Sequence, residues 1–141
     1  MPNSVTSIGE RAFQGCSSLT SVNIPSSITS IGSSTFYECS RLTSVNIPSS
    51  IKSIESFAFS GCSRLTSVNI PSSVISIGGS AFKDCGRLAS VVFKGNKPPT
   101  KNDNSFPVFD GTPSNLKLTV PKGAKSAYVK AGYPEDKIIE Q

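Results

Sequence analysis

The sequence repeats itself every 23 residues between Pro2 and Phe93, and this periodicity constrains its fold more than any other feature. Four copies follow one another without insertion or deletion. They read PNSVTSIGERAFQGCSSLTSVNI at 2–24, PSSITSIGSSTFYECSRLTSVNI at 25–47, PSSIKSIESFAFSGCSRLTSVNI at 48–70 and PSSVISIGGSAFKDCGRLASVVF at 71–93. Self-similarity at a fixed period of this length is the sequence signature of a repeat architecture.

Seven positions are apolar in all four copies, and they predict the core. A unit of 23 residues is too short to bury so many apolar side chains alone, so the copies must stack, with each side chain above its counterpart one copy earlier. We call each copy a coil and each set of equivalent positions a column. The first-coil members of the apolar columns are Val5, Ile8, Phe13, Cys16, Leu19, Val22 and Ile24. The sequence therefore predicts a one-dimensional solenoid.

Within each coil, the residue pattern changes from strand to turn. In the first coil we predict a short parallel strand at about Thr20 to Asn23, which Pro25 ends because proline has no backbone donor. A second extended piece, rich in β-branched residues, covers Val5 to Gly9. Phe13 and Cys16 are three residues apart, which predicts one helical turn.

A degenerate fifth coil follows the four regular ones. Phe109 to Val120 spans 11 residues, as Phe13 to Ile24 does, and we expect Thr112 to replace the column cysteine and Asn115 the column leucine. The four additional residues before it fall in 94–104, which we predict to be an exposed loop. Ala124 to Ala131 predicts a helix that ends at Gly132 and covers the end of the stack. We therefore divide the chain into repeats at 2–93, a loop and degenerate repeat at 94–121 and a C-terminal cap at 122–141.

The pattern P-x-S-[VI]-x-S-I-[GE]-x-x-[AT]-F-x-x-C-x-x-L-x-S-V resembles the BspA-like leucine-rich repeat, the 23-residue class found in surface proteins of host-associated anaerobic bacteria. The tail FKGNKPP…LTVPKGAKSAYVKAG is similar to the cap that closes such arrays. The resemblance implies a right-handed leucine-rich-repeat solenoid, a cell-surface or secreted location and an adhesive or protein-binding role. No signal-peptide pattern precedes Met1, so we expect the chain to be a fragment of a longer protein.

The composition argues against catalysis. The chain contains neither His nor Trp, which excludes Ser-His-Asp and Cys-His sites, His-ligated zinc and an imidazole acid or base. The four cysteines follow the repeat and form no metal-binding motif, so we interpret them as buried, reduced packing residues that react slowly. We therefore expect a noncatalytic protein with no cofactor and no bound metal.

Two polar columns lie on either side of the buried valine of the main strand, and both are directed outward by the alternation of a β-strand. By family analogy this face is concave. Hydroxyls and amides recurring at intervals of about 4.8 Å suit a repetitive partner, such as an extended peptide or a glycan. The alternative is that these residues are merely solvated, or bonded to one another along the stack. The candidate binding residues are Ser21, Asn23, Ser44, Asn46, Ser67, Asn69, Ser90 and Val92.

Basic residues outnumber acidic ones by 14 to 9, and three of them form a column of their own: Arg41, Arg64 and Arg87. We interpret this column as a solvated structural ladder, with an anion site for sulfated glycans as the alternative. Acidic residues offset the basic tail, and interleaved aromatic residues are lacking, so nucleic acid is not expected as a partner. Because no run approaches the roughly 20 apolar residues of a membrane span, we expect no membrane insertion.

These patterns predict a noncatalytic module that binds a host or extracellular-matrix protein or a glycan, as part of a bacterial surface adhesin. A structural spacer that projects some other module from the cell is the alternative. The near-invariance of the outward strand positions mildly favours the spacer. The uncovered edge of the first coil also predicts end-to-end self-association.

Overall fold

A computed structural model describes residues 1–102 and 106–141, and its parallel strands wind into a β-solenoid of about five coils. One side carries the main strand of each coil. These strands are β1 (Ser21–Asn23), β3 (Ser44–Asn46), β5 (Ser67–Ile70), β7 (Ser90–Phe93) and β9 (Lys117–Val120), and β10 (Ile138–Glu140) of the C-terminal cap pairs with β9. Ser21 pairs with Ser44, and Ser67 with Ser90, so the strand register equals the sequence repeat. The prediction of a solenoid with parallel strands is confirmed.

The second extended piece forms another parallel sheet in the second to fifth coils, whereas Val5 to Gly9 of the first coil form no strand. Its strands are β2 (Ser30–Ile31), β4 (Ser53–Ile54), β6 (Ser76–Ile77) and β8 (Thr100–Lys101). Strand β8 lies within the segment 94–104, which the sequence predicts to be an exposed loop, and Pro99 beside it is buried. That prediction is therefore wrong for residues 99–101, while residues 103 and 104 lie outside the described residues.

The segment predicted as one helical turn is a run of consecutive turns instead. In the second coil, the Phe36 N–H donates to the Ala58 carbonyl of the next coil (2.8 Å), whereas the Thr35 N–H donates to Gly32 in its own coil (3.3 Å). Ser34 and Glu38 adopt left-handed backbone conformations, with φ of 55° and 57°. An α-helical turn would direct its N–H groups along its own axis, leaving none for the neighbouring coil. In these turns, every second backbone N–H donates a hydrogen bond to the next coil.

The core consists of the predicted columns. A ladder of five phenylalanines runs through it, and neighbouring rings stack with centroid distances of 5.2–5.8 Å. Its members are Phe13, Phe36, Phe59, Phe82 and Phe109. Column residues in the second to fourth coils are almost all buried, whereas Val5, Ile8, Phe13, Cys16 and Leu19 of the first coil are only partly buried. The first coil packs against one neighbour where the inner coils pack against two.

The fifth coil continues the stack, but one position differs from the sequence alignment. Leu116, and not Asn115, occupies the place of the column leucine. Leu116 is fully buried and its N–H donates to Pro113, as Leu88 donates to Cys85, while Asn115 is exposed. The core position is shifted by one residue from the sequence alignment because the apolar Leu116 side chain is the one that can be buried. The spacing between Phe109 and Val120 equals that of a regular coil and therefore does not predict this shift.

The C-terminal end is closed by a short helix, α1 (Lys125–Lys130), a 3-10 helix (Glu135–Lys137) and strand β10. Gly132 follows α1 with φ of 88°, as the predicted helix stop requires. Tyr128 and Tyr133 pack with Phe93 at centroid distances of 5.1 and 5.4 Å. Their hydroxyls donate to the carbonyls of Gly95 (2.7 Å) and Pro99 (2.9 Å), so the cap is both apolar and hydrogen-bonded.

Candidate functional site

The eight candidate binding residues lie on the outer surface of the main strands, and we call this surface the Ser/Asn face. The six Ser and Asn residues of β1, β3 and β5 are exposed, while Ser90 and Val92 of β7 are half-buried. The intervening valines point inward, and Val22, Val68 and Val91 are at most 8% exposed. Strand alternation therefore places the side chains as predicted, with each hydroxyl and amide accessible to a partner.

Two hydroxyls beside the Ser/Asn face bond to the preceding coil. Thr43 donates from its hydroxyl to the Thr20 carbonyl (3.0 Å), and Ser63 donates to Ser40 (3.3 Å). The Thr43 bond lies at the entry to β3, and the Ser63 bond lies four residues before β5. These bonds add to the strand pairing that holds neighbouring coils together beside the face.

The Ser/Asn face changes character toward the C-terminal end. The strand register aligns Asn69 with Val92, then with Thr119 on β9 and Ile139 on β10. Lys117 takes the position that Ser90 occupies one strand earlier. The ladder of amides therefore ends after three coils and is followed by β-branched side chains. Thr119 and Ile139 were not among the predicted binding residues, and Ile139 lies on β10, a strand that the sequence did not predict.

The three column arginines are exposed just before the main strands. Arg41, Arg64 and Arg87 each precede a buried column leucine. Two residues after each arginine, the backbone bonds to the equivalent position of the neighbouring coil: the Ala89 N–H donates to the Thr66 carbonyl (3.0 Å). The arginines are therefore stacked one per coil along one border of the Ser/Asn face.

Three of the four column cysteines lie inside the stack, where their thiols are shielded from reagents. Cys39, Cys62 and Cys85 are buried free thiols, and each donates to the carbonyl of a phenylalanine one coil earlier at 3.1–3.3 Å. Burial raises the pKa of Cys39 to about 11 and that of Cys85 to about 12, which keeps both thiols protonated at neutral pH. Cys16 departs from the predicted burial because it is partly exposed at the open first coil.

Two open hollows lie near the cap. One of about 520 Å³ is lined by Lys125, Val129, Lys130 and Glu140, and another of about 280 Å³ by Lys101, Phe109, Tyr133 and Lys137, among others. Glu140 accepts a hydrogen bond from the Lys125 backbone N–H (2.9 Å), and Lys101 donates to the Gly132 carbonyl (2.8 Å). These charged groups hold the cap in place. In the part of the chain that the structure describes, no cluster of three Cys, Asp or Glu residues could hold a metal ion.

Comparison with known proteins gives a family match. The model of the BspA type leucine rich repeat region matches residues 1–106 in six copies. No curated protein matches the chain. Within residues 1–102 and 106–141, no helix has the length and apolar character needed to cross a membrane.

Two solved structures are similar to the chain. A leucine-rich repeat protein from Bacteroides ovatus shares 26% identity over 82% of this chain, with a TM-score of 0.49. The chain spans only 43% of that protein. A leucine rich repeat protein from T. pallidum shares 24% identity over 88% of this chain and 75% of its own, with a TM-score of 0.48. Because the family model covers most of the sequence, the chain belongs to the BspA-type leucine-rich repeat family.

Proposed function

We propose that the protein is a noncatalytic binding module that captures a host or extracellular-matrix protein, or a glycan, through the Ser/Asn face. The observation that carries this proposal is the exposure of equivalent Ser and Asn side chains on three successive strands. Strand pairing and the inter-coil turn bonds hold these groups in place before a partner arrives, so binding orders few side chains. Many weak contacts along one ladder then add up to useful affinity.

The proposed location is the bacterial cell surface. BspA-type repeats are typical of bacterial surface proteins, and surface display would bring the Ser/Asn face to extracellular partners. The noncatalytic assignment is supported by the family, whose members generally lack enzymatic activity, and by the absence of histidine from the sequence.

The test of the binding role is a triple substitution, Asn23→Lys with Asn46→Lys and Asn69→Lys. Immobilised extracellular-matrix proteins, host receptors and mucin-type glycans provide the partners. We expect saturable capture by the wild type and its loss in the variant, because three long charged side chains would cover the ladder.

The matched control adds the same charge elsewhere. The control substitutions alter an exposed column that already contains Lys52 and lies just before the strands of the other sheet: Thr6→Lys, Thr29→Lys and Ile75→Lys. This variant should bind as the wild type does, and both variants should keep the wild-type melting temperature. Unchanged capture by the Asn variant would remove the Ser/Asn face from consideration.

The second candidate is a structural spacer. It is favoured by the near-identity of the outward strand positions, since a ligand site usually varies along a stack while a spacer needs only repeated packing. If the protein is a spacer, the folded wild type at micromolar concentration should bind none of the immobilised proteins and glycans. Saturable capture would contradict that role.

The open first coil supports a further proposed partner, a second copy of the chain. Val5, Phe13 and Leu19 are partly exposed there, although their equivalents in the second to fourth coils are buried. Light scattering over a range of concentrations should show association that Leu19→Lys abolishes. A strict monomer at high concentration would contradict this proposal.

A further inference from the structure

Two lysines, one in the fifth coil and one in the cap, extend the positive charge of the arginine column, which gives a stripe of five basic side chains at the border and C-terminal end of the Ser/Asn face. We call it the basic stripe: Arg41, Arg64, Arg87, Lys117 and Lys137. We infer that the basic stripe binds the anionic groups of a linear sulfated glycan whose hydroxyls lie over the adjacent ladder. This inference rests on the proposed function, because it names the ligand class of that same face.

The two lysines reach the stripe from different elements. Lys117 begins β9 and pairs with Ser90, three residues after Arg87. Lys137 lies in the 3-10 helix, and its ammonium group donates to the Ser114 carbonyl (3.1 Å). Ser114 is close to the position before Leu116 that corresponds to Arg87 before Leu88. The fold therefore places positive charge beside the stack in the coil where the arginine column itself ends.

The nearest acidic residues in sequence are held on the turn side. Glu38 and Asp84 lie three residues before Arg41 and Arg87, and both adopt left-handed backbone conformations. The Glu38 side chain packs over Gly61 and the Asp84 carboxylate over Gly111, each in the next coil. Both acidic side chains therefore lie against the coil that follows them. Stacked, exposed guanidinium groups repel one another, and a polyanion would relieve that repulsion.

The spacing of the stripe favours a glycan over an acidic peptide. Adjacent coils are about 4.8 Å apart, whereas side chains on one edge of an extended peptide recur at about 6.8 Å. A peptide would therefore lose register with the arginines within two coils. One sugar ring of an extended glycan spans close to one coil, and guanidinium groups bind sulfate through paired hydrogen bonds. The neighbouring Ser and Asn side chains supply donors and acceptors for the sugar hydroxyls.

The test uses heparin as the probe and the variant Arg41→Ser with Arg64→Ser and Arg87→Ser. Serine is the residue that the first coil has in this column, at Ser18, so the variant should fold. We expect heparin affinity to fall roughly tenfold or more, and the slope of log affinity against log salt to fall by roughly two to three. The control variant Lys52→Ser, Lys97→Ser and Lys130→Ser removes equal charge from exposed sites elsewhere and should lose much less affinity.

Three results would overturn the inference. Equal losses in both variants would mean that net charge alone holds heparin. Wild-type affinity in the arginine variant would exclude the stripe, and competition by poly-glutamate as effective as that by heparin would assign an acidic peptide instead. The proposed binding role of the Ser/Asn face is tested by a separate experiment, in which the wild type and the triple Asn variant are compared on the immobilised proteins and glycans.

Discussion

Gly78 packs so closely against Ser56 of the preceding coil that a β-carbon on Gly78 would overlap the Ser56 backbone nitrogen. Gly9 belongs to the same column, yet nothing lies within 4 Å of the place where its β-carbon would be. Neither residue has a positive φ. The need for glycine at Gly78 therefore comes from contact between coils and not from local backbone conformation.

We predict that Gly78→Ala destabilises the protein while Gly9→Ala does not. The overlap with backbone cannot be relieved by a rotamer change, so Gly78→Ala should lower the free energy of unfolding by about 1–3 kcal/mol. Gly9→Ala should change it by less than about 0.5 kcal/mol. Urea unfolding followed by circular dichroism measures both. Equal effects of the two substitutions would contradict close packing between these coils.

The cysteine column predicts two classes of thiol. At pH 8 the partly exposed Cys16 should react promptly with an aromatic disulfide reagent, while Cys39, Cys62 and Cys85 should react only as the protein unfolds. Burial raises the pKa of all three inner thiols, and the thiolate is the reactive form. Cys16→Ser should remove the fast phase alone. Fewer than four thiols after denaturation would reveal a disulfide and refute this assignment.

Substitution of serine by alanine should have opposite effects on stability at equivalent positions of one serine column. The Ser27 hydroxyl donates to the Val5 carbonyl one coil earlier, whereas the Ser50 and Ser73 hydroxyls are buried and have no partner within the described residues. Ser27→Ala should destabilise by about 1 kcal/mol, and Ser73→Ala should be neutral or stabilising by a similar amount. Parallel thermal and urea unfolding of both variants checks the difference in sign. A clear loss of stability in Ser73→Ala would indicate that its hydroxyl is bonded.

The capping tyrosines predict loss of stability at alkaline pH. Burial raises the pKa of Tyr128 to about 12 and raises that of Tyr133 as well, while a tyrosine in the unfolded chain ionises near pH 10. Above about pH 10 the tyrosines of the unfolded chain release their protons before those of the folded protein do. The contribution of Tyr128 and Tyr133 to the free energy of unfolding is therefore complete below about pH 10 and is lost as pH rises toward the pKa of the folded state. The buried thiols act in the same direction from about pH 9.

Unfolding free energies of the wild type and Tyr133→Phe, measured from about pH 9 to pH 11, separate the tyrosine contribution from that of the thiols. The variant should begin about 1 kcal/mol less stable, because it lacks the hydrogen bond to Pro99, and should lose less stability as pH rises. Identical pH dependence of the two proteins would show that Tyr133 keeps an ordinary pKa.

Most residues of the Ser/Asn face could be predicted from the sequence, because the alternation of inward and outward side chains depends only on position within one strand. Asn23 and Asn46 face outward for the same reason that Val22 faces inward, and the repeat extends this arrangement to each later coil. The far end could not be read in this way. Ile139 joins the face only because β10 returns to pair with β9, and short strands at the end of a chain have no repeat to mark them.

The sequence by itself determined the solenoid, its register and its core, because an undivided 23-residue period allows only stacked equivalents to share the burial of their apolar side chains. Only the tertiary structure decided what happens where the period changes. It selected turns over a helix around Phe36, since each coil must bond its neighbours. It placed Leu116 and not Asn115 in the core, since burial favours the apolar side chain. It also brought Lys137 beside Ser114, because a contact between residues of unrelated sequence is set by how the cap packs and not by the repeat.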